Sequence, residues 1–332
     1  MSRDIYVIVE LRDGILSKVG LELVGKAREL ADNLGQDVVA ILLGLGIKGK
    51  ARILIEHGAD KVIVVDDPML SEYVTEPFTK AVCTILTEKQ PEIVLFGATS
   101  IGRDLAPRVS ARIHTGLTAD CTKLEIDDDS KLLLMTRPAF GGNIMATIIC
   151  QDFRPQMATV RPGVMVALEK DTSRKGEIEE LDIKFNESDM NVKIREVIKS
   201  TKKAVDITEA KYIVSGGRGV GEPGKFNMLK DLAGELGAEV AASRVCVDSG
   251  WIDKECQVGQ TGKTVRPDLY MACGISGAIQ HVAGMEGSEL IIAINKNEAA
   301  PIFSIADLGI VGDINKIIPK LTEALKKSKT LS

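Results

Sequence analysis

Short apolar runs alternate with longer amphipathic stretches along the first half of the chain. Residues 5–10, 38–43, 61–65 and 93–96 are nearly continuous in Val, Ile and Leu, the pattern of strands buried on both faces. Between them, residues 19–34 set Leu21, Val24, Ala27, Leu30, Ala31 and Leu34 at helical spacing, and Gly35 stands where a helix C-cap favours glycine. Residues 51–56, 79–88 and 102–112 also predict helices. Such a rhythm predicts a mostly parallel sheet with helices on its faces. It then changes: residues 131–136 and 144–149 predict antiparallel strands around Phe140-Gly141-Gly142-Asn143, and Thr159-Val160-Arg161-Pro162-Gly163 ends this part. Residues 171–206 read as a polar bridge, with an edge strand predicted at 192–198. The alternation returns with strands at 212–214, 239–242, 269–273, 290–294 and 302–305, and helices at 226–236, 277–283 and 314–325. The predicted fold class is α/β in two domains, each with a mainly parallel sheet flanked by helices, over residues 1–195 and 196–332.

Composition narrows the function. The 332 residues exceed one ordinary core, which agrees with two domains. A net charge of −5 and 4% aromatic residues give neither the field nor the stacking surface for nucleic acid. No apolar run is long enough to cross a bilayer, so no membrane partner is expected. Met1-Ser2-Arg3-Asp4 leads straight into a strand, leaving no room for a signal peptide, and the expected compartment is the cytoplasm. Six cysteines and three histidines are dispersed, without the spacing of a zinc or iron–sulfur site, so no metal is expected.

Three glycine turns could carry chemistry. Gly216-Gly217-Arg218-Gly219-Val220-Gly221-Glu222-Pro223-Gly224 follows a strand and precedes a helix, the setting in which backbone N–H groups approach a phosphate. Residues 219–224 also fit G-x-G-x-x-G, yet Ser243 and Arg244 stand where an NAD enzyme keeps a ribose-binding acid. Gly259-Gln260-Thr261-Gly262-Lys263-Thr264 suggests a phosphate loop, but Gln257 replaces the first glycine of the Walker pattern and Pro267 interrupts the required helix. Gly274-Ile275-Ser276-Gly277-Ala278-Ile279-Gln280-His281 forms a third turn at a strand end. Three such turns on one sheet predict a single ligand crevice. A dehydrogenase using NAD and a nucleotide-sensing module are the competing readings. Against the first stand Arg244 and the lack of an acid/base dyad.

These runs resemble the alpha subunit of electron-transfer flavoproteins. The likeness continues through Ala293-Ile294-Asn295-Lys296, Ala300-Pro301-Ile302-Phe303 and Gly309-Ile310-Val311-Gly312-Asp313, covering nearly the whole second domain in order. It implies a Rossmann-like second domain that binds FAD, a first domain packed on a beta subunit, and a heterodimer. It implies that Arg218 touches the phosphates. Ser243 and Arg244 would border the isoalloxazine, and Val258, Gly259, Gln260 and Thr261 would line it. Ser276, Gly277, Ala278, Ile279, Gln280 and His281 would wrap the ligand, with His281 at the ring carbonyl near N1. Asn295, Asp313 and Ile314 would hold the adenosine end. Electron gain puts negative charge on that ring edge, so a guanidinium and a donor there would favour it. Thr136-Arg137-Pro138-Ala139-Phe140-Gly141-Gly142-Asn143 and residues 153–163 depart from the mitochondrial form and are similar to flavoproteins of anaerobic bacteria. That likeness implies a carrier, not an enzyme on its own, that takes electrons from NADH through a beta-subunit flavin. An acyl-CoA dehydrogenase of the butyryl-CoA type is then a partner, with ferredoxin as the further acceptor in a bifurcating complex. A non-bifurcating carrier fed by acyl-CoA dehydrogenases is the alternative.

Overall fold

The structure, a computed structural model, describes residues 4–12, 14–139, 144–190, 192, 194–197, 207–208 and 210–331, with the side chains of 187 and 329–331 left aside. Two compact units result, one of residues up to 197 and one of residues from 207 onward. The expected turn at Phe140-Gly141-Gly142-Asn143 lies outside the described residues, as does most of the expected domain junction near 195–205. Among the described residues, no helix is long and apolar enough to cross a membrane.

The first unit opens with β1 (Ile5–Val9), a small ribbon of β2 (Leu11–Arg12) and β3 (Ile15–Leu16), and α1 (Lys18–Leu34). Then come β4 (Val38–Gly44), α2 (Ala51–Glu56), β5 (Lys61–Asp66), α3 (Thr75–Lys89), β6 (Ile93–Gly97) and α4 (Ser100–Arg112). The strands β7 (Leu117–Cys121), β8 (Lys123–Ile126), β9 (Leu133–Ala139), β10 (Ile144–Ile148), β11 (Gln156–Val160) and β12 (Glu177–Glu180) complete it. Seven strands pair in parallel in the order β12-β5-β4-β1-β6-β11-β7, while β8, β9 and β10 form a separate antiparallel sheet. Alternate residues of β1 feed two cores. Ile5, Val7 and Val9 meet Leu23, Val24, Ala27 and Leu30 of α1, while Tyr6 and Ile8 join the core of α3 and α4. Burial on both faces explains why these strands read as unbroken apolar runs.

Three local expectations are corrected here. Residues 159–163 do not simply end the antiparallel part, because β11 is inserted between β6 and β7 of the large sheet. The polar bridge is not a free linker. Its Glu177–Glu180 segment pairs with β5 as an edge strand, and Glu179 is held by Lys61 and Lys89 at 2.6 and 2.8 Å. Charged residues suit an exposed edge, and their polarity conceals the strand. Residues 192 and 194–197, part of the predicted edge strand, have no regular structure.

The second unit contains β13 (Tyr212–Gly216), α5 (Phe226–Leu236), β14 (Glu239–Ala242), α6 (Arg244–Asp248), β15 (Leu269–Cys273), α7 (Ile279–Val282), β16 (Ile291–Asn295), β17 (Leu308–Val311) and α8 (Ile314–Leu331). Its five strands are all parallel in the order β14-β13-β15-β16-β17. The chain therefore reverses its winding between β13 and β15, the place where open α/β sheets take ligands. Helices α5 and α8 cover one face through Phe226, Leu229, Ile314 and Ile318. The strand expected at 302–305 is a 3-10 turn, Pro301–Ser304, and the edge strand is Leu308–Val311 instead. Pro301 at the first position of that turn fixes the backbone out of strand geometry.

Candidate functional site

The strands β13, β14, β15 and β16 end at Gly216, Ala242, Cys273 and Asn295, and the loops that follow them enclose a cavity of about 580 Å³. That size is usual for a small-molecule site, roughly 300–1,000 Å³. The three glycine turns meet there through backbone contacts. Gly217 and Gly219 donate to the carbonyls of Cys273 and Gly274, both at 2.9 Å, and Gln260 N–H donates to Gln280 O at 2.7 Å. A Cβ on Gly217 would lie 2.4 Å from Gly274 O, and Gly259 sits at φ +136° with its Cβ position 2.7 Å from Gln280 O. No larger residue permits these approaches.

This geometry changes the reading of the first turn. The N–H groups of Gly217 and Gly219 are engaged within the chain, so they do not form a cradle for phosphate. Nor does the turn run directly into a helix: two 3-10 turns, Arg218–Val220 and Pro223–Lys225, precede α5. The exposed Arg218 side chain stands at this wall as a fixed cation.

Of the residues expected at the site, Arg218, Ser243, Arg244, Val258, Gly259, Gln260, Thr261, Ser276, Ala278, Gln280, His281 and Asn295 line the cavity. The guanidinium of Arg244 is exposed and pairs with Asp248 one turn along α6, Nε to Oδ2 at 3.1 Å. Thr261 Oγ1 accepts from Gln257 Nε2 at 3.0 Å, which leaves its hydroxyl proton to donate. Asn295 is engaged at both ends of its amide, by Ile275 O and Asn297 N. Four residues stand outside the wall. Gly277 packs on the Ile302 backbone, and Ile279 is half exposed on α7. Asp313 accepts from Asn315 N and Nδ2, which hold its carboxyl below the usual range at the start of α8. Ile314 is in the core. Val245 and Asn297 join the wall without having been singled out. Their only signal was adjacency, to Arg244 and to Asn295.

His281 has the most constrained environment. It is 7% exposed, its Nε2 is 3.0 Å from the Tyr270 hydroxyl, and its Nδ1 is shut off from solvent. Burial pushes its pKa down to about 4, and a hydrogen bond to the Val258 backbone carbonyl offsets this only in part. The imidazole is therefore neutral at pH 7. Among the described residues that line the cavity, none is Asp or Glu. A larger concavity of about 920 Å³ lies on the first unit, beside Pro91, Glu92, Arg154 and Pro155. These residues precede β6 and β11, so it sits at the N-terminal strand ends, opposite the end where such sheets bind ligands.

The model of the electron transfer flavoprotein domain matches residues 5–186, and that of the electron transfer flavoprotein FAD-binding domain matches residues 206–286. The electron transfer flavoprotein subunit alpha of Thermoanaerobacterium thermosaccharolyticum is 56% identical over 98% of this chain and 99% of its own length. This chain belongs to the electron transfer flavoprotein alpha-subunit family. Its similarity extends to the acryloyl-CoA reductase electron transfer subunit beta of Anaerotignum propionicum, 47% identical over 98% of this chain and 96% of that one. It also extends to the lactate dehydrogenase (NAD(+),ferredoxin) subunit LctC of Acetobacterium woodii, 46% identical over 96% of this chain and 76% of that protein.

The second unit of this flavoprotein subunit binds FAD. The cavity fits such a group. Val258, Ile275, Ala278 and Pro301 give apolar wall for a flat ring, Arg218 offers a cation for phosphates, and Thr261 offers a polar contact.

Proposed function

We propose that this chain is the alpha subunit of a heterodimeric electron carrier and works with a beta subunit. Its donor is NADH, reached through a flavin of the beta subunit. Its acceptors are an acyl-CoA dehydrogenase of the butyryl-CoA type and, by bifurcation, ferredoxin. FAD, when bound, supplies reversible electron chemistry to the site. The chain's own residues bind and tune: Arg218 takes the phosphates, Thr261 donates toward the ring, and Asn295 stands at the adenosine end. Arg244 and His281 border the ring edge that gains negative charge, where a cation and a donor favour the electron-rich form. The observation that carries the carrier reading is a cavity wall with donors and a cation but no carboxylate. With His281 neutral and hard to protonate, the wall has no acid/base pair for substrate chemistry. The names of the relatives from Anaerotignum propionicum and Acetobacterium woodii support acyl-CoA and NAD/ferredoxin partners.

Co-purification with the beta subunit and a flavin count test the reading. Two FAD per heterodimer, with NADH reducing ferredoxin only when an enoyl-CoA acceptor is present, are expected. One FAD beside AMP would exclude bifurcation and leave the simpler carrier. Arg244→Ala is expected to lower the FAD midpoint potential by tens of millivolts; an unchanged midpoint in redox titration refutes its role.

A further inference from the structure

Arg244 and Asp248 are the first and last residues of α6. Side chains four residues apart on a helix share a face. The Asp248 carboxylate takes the Arg244 Nε–H at 3.1 Å. Arg244 lines the cavity, whereas Asp248 does not. Among the described residues Arg244 has no other hydrogen bond or ion pair, so both terminal nitrogens of its guanidinium stay open. Arg218, the other guanidinium of the wall, has no acidic partner among the described residues.

Helix stability does not account for the pair. Arg244 stands at the N-terminal end of α6 and Asp248 at the C-terminal end, the reverse of the order that peptide dipoles favour. Ser243, the N-cap, does not cap the helix with its hydroxyl either. Both charged side chains are exposed, and an exposed pair adds little to folding. What the bond does fix is direction. A guanidinium gripped at its inner nitrogen presents its outer nitrogens ahead of it.

We infer that Asp248 is a positioning residue for the cofactor site: by holding Arg244 at Nε it aims the terminal nitrogens of the guanidinium into the cavity. The inference rests on the reading that FAD occupies this cavity with its charge-gaining edge beside Arg244. A cation favours electron gain only while it stays close, because exposed charges are screened beyond about 8–10 Å. A free arginine at a cavity mouth divides its time between the cavity and solvent, and ordering it has an entropic cost. Asp248 restricts that freedom before the ring gains charge. Its own negative charge works the other way and disfavours electron gain, so the two effects have opposite signs.

The test uses the full chain, loaded with FAD and co-expressed with the beta subunit, and reads the FAD midpoint by redox titration. Asp248→Asn and Asp248→Ala both remove the charge, but only Asn keeps an oxygen for Nε. At a fixed potential Asp248→Asn is therefore expected to hold more reduced FAD than Asp248→Ala by about twofold, the worth of one contact at this helical spacing. Equal midpoints, or a higher one in Asp248→Ala, overturn the inference. In an Arg244→Ala background the difference between the two variants is expected to vanish; if it persists, the oxygen acts on something other than the guanidinium and the inference fails. A second readout needs no flavin. In FAD-free protein labelled with 15N, the arginine Nε–H signal that Arg244→Lys removes is expected to exchange with water more slowly in the wild type than in Asp248→Ala. Equal exchange shows that Asp248 does not hold Nε. The underlying reading is tested separately. If Arg244→Ala leaves the midpoint unchanged, FAD does not meet Arg244 and that reading fails. If Arg244→Ala lowers the midpoint while Asn and Ala at position 248 agree, only the role of Asp248 fails.

Discussion

In the first unit, buried polar side chains near the strand ends find partners within the chain. Arg161 at the end of β11 makes a two-pronged bond to Asp120, at 3.2 and 2.7 Å. Gln156 at the start of the same strand accepts from Leu133 N–H and donates to Glu92. The second unit differs. Among the buried polar side chains that are described, those left with an unpaired atom are Ser215 and His281, one at the end of β13 and the other in the cavity wall. The unpaired atoms of the first unit belong to half-buried residues such as Gln36 and Arg174. Two parallel sheets of similar construction thus treat polarity in opposite ways. One satisfies it through charged pairs and amides at its strand ends, and the other keeps neutral hydroxyl and imidazole groups beneath and beside its cavity.

The contrast can be broken first at the Arg161–Asp120 pair. Asp120→Asn strands a guanidinium that is almost fully buried and is expected to cost about 3 kcal/mol in urea unfolding, without changing the FAD bound per folded chain. If it abolished FAD binding instead, the pair would not be purely structural.

Acid sensitivity sharpens the other side. His281 titrates near 4 in the folded chain against 6.5 ordinarily, so between these values the unfolded chain binds a proton that the folded chain refuses. Its contribution is complete above pH 6.5 and is lost as pH falls toward 4, by about 3 kcal/mol. The slope of stability against pH in this window should be visibly flatter in FAD-free His281→Leu than in the wild type. Equal slopes would place the acid sensitivity elsewhere.

The smallest effects separate the two kinds of glycine. Gly217→Ala pushes a Cβ toward Gly274 O and is expected to cost about 2 kcal/mol and most of the FAD occupancy. Gly35→Ala, at φ +64° with open space around it, should cost about 1 kcal/mol and leave FAD bound as before. If both variants bound FAD equally, close backbone approach would not be what shapes the cavity.

The sequence alone determined the parallel strands, because burial on both faces demands unbroken apolar runs such as those at Ile5–Val9 and Val38–Gly44. It also determined that the glycine turns at Gly216 and Gly274 fall at strand ends, since glycine, strand and turn are all local features, whereas the Gly259 turn follows the 3-10 turn Lys254–Cys256. The rest depended on contacts distant in sequence. The charged segment Glu177–Glu180 became a strand only because Lys61 and Lys89 on its neighbours neutralise it. The apolar run at 302–305 became a 3-10 turn because Pro301 and the backbone of Gly277 meet there. Tertiary structure alone decided that the first glycine turn uses its N–H groups on the Gly274 turn, and that Tyr270 reaches His281. A hydrogen bond across 11 residues between a strand and a short helix has no local signature, so only the folded sheet could reveal it.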